Sequence, residues 1–520
     1  MGTTKEGRRG RLRAGARWAL AGLVAAGGAA VGAPALAQGA SFPTGYGSSG
    51  ALGVELGAEP GLSQGVPFSP PGLGAGWRIA PSLDLREIYD DNIALAPPGQ
   101  ERSDFVTEVN PEISISKQAP RFDLLANYRM QNIFYARNSS SDATFHQLFS
   151  RGDLDVVPGT FSLGAQATAS QALISPSQPV PLSNVSISGN RTNVVTYSAT
   201  PRLQHAFGRL AVVQGHYTYS VVNYNTQQLS GSQTSEVGAS LGTGPDVPGI
   251  AFQLDYDRSR TNFDAAQAVI FESLIGVARF PAHHRFRLVL RGGYEDNNFQ
   301  FGPAEAQPKG KIWSGGFEWD ITPRSYLEAS YGRRFFGRTV AVSFRHEGAW
   351  TSAQVSFTES PTTVSSLTRE QQPVVLGSGG QFVQVLAPSL AGLPAQVFIN
   401  RQLSGTLTAR GVRDRVSATV SRSQRSFELT GGKETVTAVD ASWNRDLGVR
   451  TSSNIAGYWQ RWRFIGGFRV DELWEIRGAL RYRFGPHVYG SLSVTHTQRT
   501  SNAAADYFVN MVALGVTVGF

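Results

Sequence analysis

The residues able to do chemistry recur at every second position. Asp84 and Arg86 alternate with Leu83 and Leu85, and Asp123 and Arg129 with Leu124, Ala126 and Tyr128. Arg287 and Arg291 alternate with Leu288 and Leu290, and Glu475, Arg477 and Arg481 with Ile476, Leu480 and Tyr482. Alternation puts such charges on one face of a strand. A charged face cannot lie in a dry core unless it is paired. It can line a water-filled lumen while the opposite face meets lipid. These nine charged residues are therefore the candidates for the lumen lining, with Asp255 and Asp257 beside them. Rings of charge could select solutes. Cross-strand Arg–carboxylate pairs could equally brace the wall, and the presence of both signs favours bracing for most of them.

Other clusters are weaker. "YDDN" at 89–92, echoed by "YEDNN" at 294–298, offers carboxylates of the kind that suit a hard cation. Adjacent strand residues point to opposite faces, however, and Asx turn chemistry is the commoner explanation. "YGRRFFGRT" at 331–339 interleaves arginine with aromatics, as a polyanion site would. Eight histidines are scattered, and the chain shows no nucleophile motif, Gly-rich phosphate loop or HExxH. No enzyme and no cofactor is expected.

The elements that position these residues are strands. From Trp77 on, alternating segments follow one another, separated by short Pro/Gly turns such as "VPGT" 157–160 and "ITPRS" 321–325. Longer polar links lie between, at 93–103, 174–192, 298–308 and 359–400 among others. Aromatics recur near the segment ends, as two interfacial girdles would require. The pattern predicts an all-β, transmembrane, antiparallel outer-membrane barrel over 77–520, of about 22 strands (20–24). Its turns would be periplasmic and short, its outer loops longer. The region 325–358 divides into three strands. The loops 174–192 and 359–400 are where a lid folded into the lumen is expected.

The ends of the chain agree. Lys5, Arg8, Arg9, Arg11, Arg13 and Arg17 precede an apolar, small-residue stretch ending in "ALA" at 35–37, which reads as a signal peptide over 1–37. Much of the formal charge of +8 leaves with it, so the charge does not point to nucleic acid. There is no cysteine, which excludes disulfides, thiolate metal sites and a lipoprotein anchor. Residues 38–76, rich in Gly, Ser and Pro, read as a periplasmic leader. They are too few to fold into the globular plug of an energy-coupled receptor. At the other end Val512, Leu514, Val516, Val518 and Phe520 alternate to the final residue. That resembles the insertion signal read by the barrel assembly machinery. Both mature termini are expected to be periplasmic, in the outer membrane of a Gram-negative cell.

Several stretches resemble a family of outer-membrane β-barrels associated with the PEP-CTERM/exosortase system and related to porin-like barrels of exopolysaccharide loci. They are "LDLREIYDDNIAL" 83–95, "SDFVTEVNPEIS" 103–114, "RFDLLANYR" 121–129, "YGRRFFGRT" 331–339 and "AWTSAQVSFTESPTT" 349–363. The resemblance implies an outer-membrane location and a link to surface-polysaccharide or exosortase systems. It carries over no functional residues.

Three functions are weighed. The first is a non-enzymatic channel or export component for polysaccharide or other polar solutes. The second is a structural barrel with a loop-closed lumen that docks a surface or periplasmic partner. The third is an outer-rim hydrolase. Within the barrel frame, Tyr331, Arg333, Arg334 and Arg338 are expected at the outer membrane interface, with arginine on the phosphates of lipopolysaccharide.

Overall fold

The computed structural model describes residues 76–520, apart from 245–246, 300–307, 371–373, 377–381, 385–394 and 428–430. The expected signal peptide and all of the leader except Gly76 lie outside the described residues.

The strands in chain order are β1 (Trp77–Asp90), β2 (Asp104–Ala119), β3 (Phe122–Tyr135), β4 (Ala143–Val157), β5 (Phe161–Leu173), β6 (Arg191–Phe207), β7 (Ala211–Tyr224) and β8 (Ser232–Thr243). Next come β9 (Ala251–Phe263), β10 (Val269–His283), β11 (Phe286–Asp296), β12 (Lys309–Thr322), β13 (Ser325–Arg334), β14 (Gly337–Glu347) and β15 (Thr351–Thr362). A helix α1 (Val364–Glu370) and a small hairpin, β16 (Val374–Leu376) and β17 (Phe382–Gln384), follow. Then β18 (Phe398–Arg410), β19 (Asp414–Phe427), β20 (Gly432–Asp446), β21 (Thr451–Arg463), β22 (Val470–Arg483), β23 (Val488–Ser501) and β24 (Tyr507–Gly519) complete the chain.

All but β16 and β17 form one antiparallel sheet of 22 strands. Each strand pairs with its sequence neighbours, and β1 pairs with β24, so the sheet closes. Closure is what an apolar surround demands, because an open edge would leave backbone N–H and C=O groups without partners. The shortest wall strand has 10 residues and the longest 17, enough for the ~9–11 that a tilted membrane strand needs. Region 325–358 holds β13, β14 and most of β15, three strands as expected.

The connections differ at the two ends. At the turn end they are tight, and Gly159 and Gly208 take positive φ (71° and 59°) that other residues reach only at a cost. At the loop end lie 91–103, 174–190, 297–308 and 363–397, although 335–336 and 264–268 are short. The expected loop 359–400 is narrower than the sequence suggests. Backbone pairing of Ser360, Pro361 and Thr362 with Asn400, Ile399 and Phe398 extends both strands through residues with no apolar alternation.

The outward face carries the apolar set. Leu85, Tyr89, Leu288, Leu290, Tyr294, Tyr331, Ile476, Leu480, Val512, Leu514, Val516 and Phe520 are exposed there. The inward face buries polar side chains, among them Asp84, Asn110, Arg129, Glu318 and Glu475. This inversion of a soluble core is the mark of an outer-membrane-type barrel.

"YDDN" fastens the seam. The Asn92 N–H donates to Asp90 Oδ1 (2.8 Å), closing an Asx turn at the end of β1. Asn92 Nδ2 donates to the carbonyls of Ala96 (2.8 Å) and of Phe508 on β24 (2.9 Å). Asp91 accepts from the backbone N–H (2.7 Å) and Nδ2 (2.6 Å) of Asn510, also on β24. The motif therefore ties the first strand to the last where the chain would otherwise fray. Asn92→Ala would leave buried groups unpaired, and about 1–3 kcal/mol of stability should be lost. The variant's heat-modifiable band on a gel should convert at lower temperature. An unchanged transition would show that the seam does not need the clamp.

Candidate functional site: the charged lumen and its inward loops

Strand register brings the alternating charges together in three networks on the inner face. On β1–β3, Arg86 Nε lies 2.8 Å from Asp84 Oδ2, and Arg129 reaches Asp84 (3.5 Å), Glu108 (3.8 Å) and Glu112 (3.3 Å). Thr517 of β24 donates to Asp84 Oδ1 (2.9 Å), so this network also crosses the seam. On β10–β13, Glu318 sits between Arg279 (3.1 Å) and Arg287 (2.8 Å), Arg287 also meets Asp320 (3.1 Å), and Arg291 meets Glu328 (2.7 Å). On β22–β23, Glu475 pairs with Arg477 (3.0 Å) and accepts from Thr497 (3.1 Å), while Arg481 lies over the ring of Tyr489 (4.5 Å). Asp123 is exposed at the turn end, opposite Asp153 across the strands.

Most of the nine residues thus sit in wall-bracing pairs. Their partners Glu108, Glu112, Glu318 and Glu328, and a further set of Asp471 with Arg469 and Arg499 (2.7 and 2.6 Å), were not singled out from sequence. The signal for Glu318 and Asp320 existed as an alternating pair in "FEWDIT". Their matching to Arg287 depends on register, which periodicity does not supply.

Two loops fold inward at the loop end. Segment 174–190 leaves β5 and reaches both flanks of the seam. Val180 packs with Leu173, Trp462 and Leu473, and Val185 with Ile88, Val106 and Ile133. Its carbonyls are taken by Tyr507 Oη at Val180 (2.8 Å), Tyr135 Oη at Val185 (2.8 Å) and Arg191 at Ser186 (2.8 Å). Asn184 donates to Gln131 (2.8 Å) and Gln171 (3.0 Å).

The second inward element, α1, follows β15 and crosses to β7 and β8. Ser365 meets Ser232 (2.6 Å), Thr368 meets Tyr224 (3.1 Å), and Arg369 donates to Ser220 (2.9 Å). Val364 and Leu367 pack on Phe398 and Phe427. Val364, Ser365, Leu367 and Thr368 are buried by these contacts. Each hydrogen bond is worth about 0.5–1.5 kcal/mol net, and each buried aliphatic side chain about 1.5–3 kcal/mol. Ordering the backbone costs about 1–2 kcal/mol per residue. For a seven-residue helix gain and cost are of the same order. Beside it is a cavity of ≈ 380 Å³ whose lining includes Glu236, Asp255 and Asp257 together with Arg291, Arg334 and Arg369.

One expected interface residue is misplaced by the sequence reading. Arg334 does not face the membrane. It points inward and makes a two-pronged pair with Glu295, Nε to Oε1 at 2.8 Å and Nη2 to Oε2 at 3.0 Å, with both residues buried. The reason is parity: Tyr331 and Arg333 lie on the exposed face of β13, so Arg334 must lie on the other. Arg338 is directly across from Arg333 and is exposed like it. Gly332, between Tyr331 and Arg333, is required locally, since a Cβ there would run into the Trp313 carbonyl oxygen.

Among the described residues no group of three His, Asp or Glu side chains is placed to hold a metal ion. His496 meets Asn510, which in turn meets Asp91. Ser325 does contact His346 (2.9 Å), but at the turn end.

The geometry agrees with what the chain is similar to. Residues 66–239 match the model of the family "Putative beta-barrel porin 2". That stretch carries β1–β7 and most of β8. Among solved structures, the siderophore receptor PirA from Pseudomonas aeruginosa is 11% identical over 85% of this chain and 80% of its own, with a TM-score of 0.44. The FrpB iron transporter from Neisseria meningitidis (F5-1 variant) is 10% identical over 86% and 83%, with a TM-score of 0.47. No curated protein matches the chain. The fold is that of a closed, outer-membrane-type β-barrel of 22 antiparallel strands.

The Glu295–Arg334 pair gives a direct test of the inner wall. Removing one partner of a buried pair costs about 3–5 kcal/mol, because the other charge is left unpaired. Arg334→Ala and Glu295→Ala should each destabilise strongly in urea unfolding, and the double change Glu295→Gln with Arg334→Met should recover much of the loss. Equal losses in all three would show that the pair is not the cause.

Proposed function

We propose that the protein is a non-enzymatic, loop-gated outer-membrane channel for polar solutes, with its loop end facing outward and its chain ends periplasmic. The observation that carries this reading is the contrast between the two inward loops. Segment 174–190 is bolted to the wall by two apolar clusters and several hydrogen bonds. Among the described residues the short α1 is held to the wall by three side-chain hydrogen bonds and one small cluster. The first narrows the lumen permanently; the second acts as the movable gate beside a cavity that presents both charge signs. The likeness of residues 66–239 to a porin family supports transport over docking or hydrolysis.

The motifs shared with barrels of the exosortase system support surface polysaccharide, or a component of its export, as the cargo. Such a cargo is polar and hydroxyl-rich, which suits a lumen lined by paired charges and amides rather than by one sign.

Replacing 364–397 with a short Gly-Ser link between β15 and β18 should raise single-channel conductance in a planar bilayer severalfold. Deletion of the whole protein should lower cell-surface polysaccharide. Silent bilayers with both the intact and the shortened chain would rule out a channel and favour the docking barrel.

A further inference from the structure

The outward face at the loop end of β12–β14 carries cations that the wall does not use. Register sets Trp313, Arg333 and Arg338 side by side across three strands. Lys311 lies two residues above Trp313 on the same face, opposite Tyr294. All five side chains are exposed. Like charges directly opposite on neighbouring strands repel, so the Arg333–Arg338 pair is unfavourable without a counter-charge.

Several outward cations elsewhere have one, although among the described residues Arg260, Arg422 and Arg463, likewise exposed, do not. Lys309 meets Asp296 (2.7 Å), Arg401 meets Glu359 (2.9 Å), Arg461 meets Glu472 (3.3 Å) and Arg258 meets Glu272 (3.7 Å). Among the described residues Lys311, Arg333 and Arg338 have no carboxylate partner. Arg334 cannot turn outward to join them, nor can β13 rotate, because its bond to Glu295 holds the strand. The cations border the exposed aromatics Tyr294, Trp313 and Tyr331, which mark the level where an apolar belt gives way to headgroups.

We propose that Lys311, Arg333 and Arg338 form a binding site for a phosphate group on an anionic glycolipid of the surrounding outer leaflet. The two guanidinium groups grip the phosphate oxygens, Lys311 supplies a third charge, and Trp313 packs against the attached sugar. The proposal rests on the loop end being the outer one. Its test is read without conductance, so its failure is separate from failure of the channel.

The full-length barrel, purified and refolded in detergent, is titrated with bisphosphorylated lipid A, fully dephosphorylated lipid A and inorganic phosphate. Binding is followed by native mass spectrometry. Wild type should bind the bisphosphorylated lipid. Arg333→Gln with Arg338→Gln should weaken it about tenfold or more, as loss of a charge-assisted hydrogen bond does. Arg333→Lys with Arg338→Lys should fall between, and Arg461→Gln should match wild type. Heat-modifiable mobility shows that each variant is folded. Equal binding of dephosphorylated lipid A, or an unchanged affinity in the double Gln variant, overturns the proposal. Inorganic phosphate bound as tightly as the lipid reassigns the site to free anions and also overturns it.

Discussion

Everything in this molecule depends on the pairing of β1 with β24. Inside hydrocarbon a backbone amide cannot borrow a partner from water, so the sheet must close on itself. The register runs from Ser82 opposite Gly519 to Asp90 opposite Met511. Once it is set, the facing of every residue around the ring follows. That is why polar side chains concentrate at the seam: Thr517 on Asp84, Asn510 on Asp91, and Asn92 on the Phe508 carbonyl. A motif that looks like a cation site in sequence is the fastening of the closed sheet.

Closure then dictates the interior. Every second side chain points into an enclosed space, and many of those chains are charged. Isolated charges there would be costly, and the structure answers with cross-strand pairs. Glu318 between Arg279 and Arg287 is typical. Such pairs are weak evidence of net stability but are expensive to break one-sidedly. They hold the wall to one register.

The same logic explains which features were legible in the sequence. Alternation at Asp84 and Arg86, or at Arg477 and Arg481, shows strands and faces because the side-chain period is two. Pro/Gly turns mark where strands end, and so the count of 22 and the three strands within 325–358 could be read. Partners could not. Glu108 lies in the stretch "SDFVTEVNPEIS", but its contact with Arg129 follows from register alone. Arg334 was missed for a different reason. Its neighbours suggested a basic patch, while parity against Tyr331 separated it from Arg333 and sent it to Glu295. The helix α1 has no periodic signal over seven residues, and its contacts with Ser220, Tyr224 and Ser232 lie far away in sequence.

What remains is whether α1 moves. The absence of cysteine makes that question direct, because any introduced pair is the sole pair in the chain. Ser232 and Ser365 have their hydroxyl oxygens 2.6 Å apart, one on the wall and one on the helix, close enough for their cysteine replacements to bond. Single-channel recording of the Ser232→Cys, Ser365→Cys protein, before and after a reductant, tests the gate. Low conductance is expected while the bond is intact, and frequent openings once it is reduced. Identical conductance in the two states, with the bond confirmed by mass spectrometry, would contradict it.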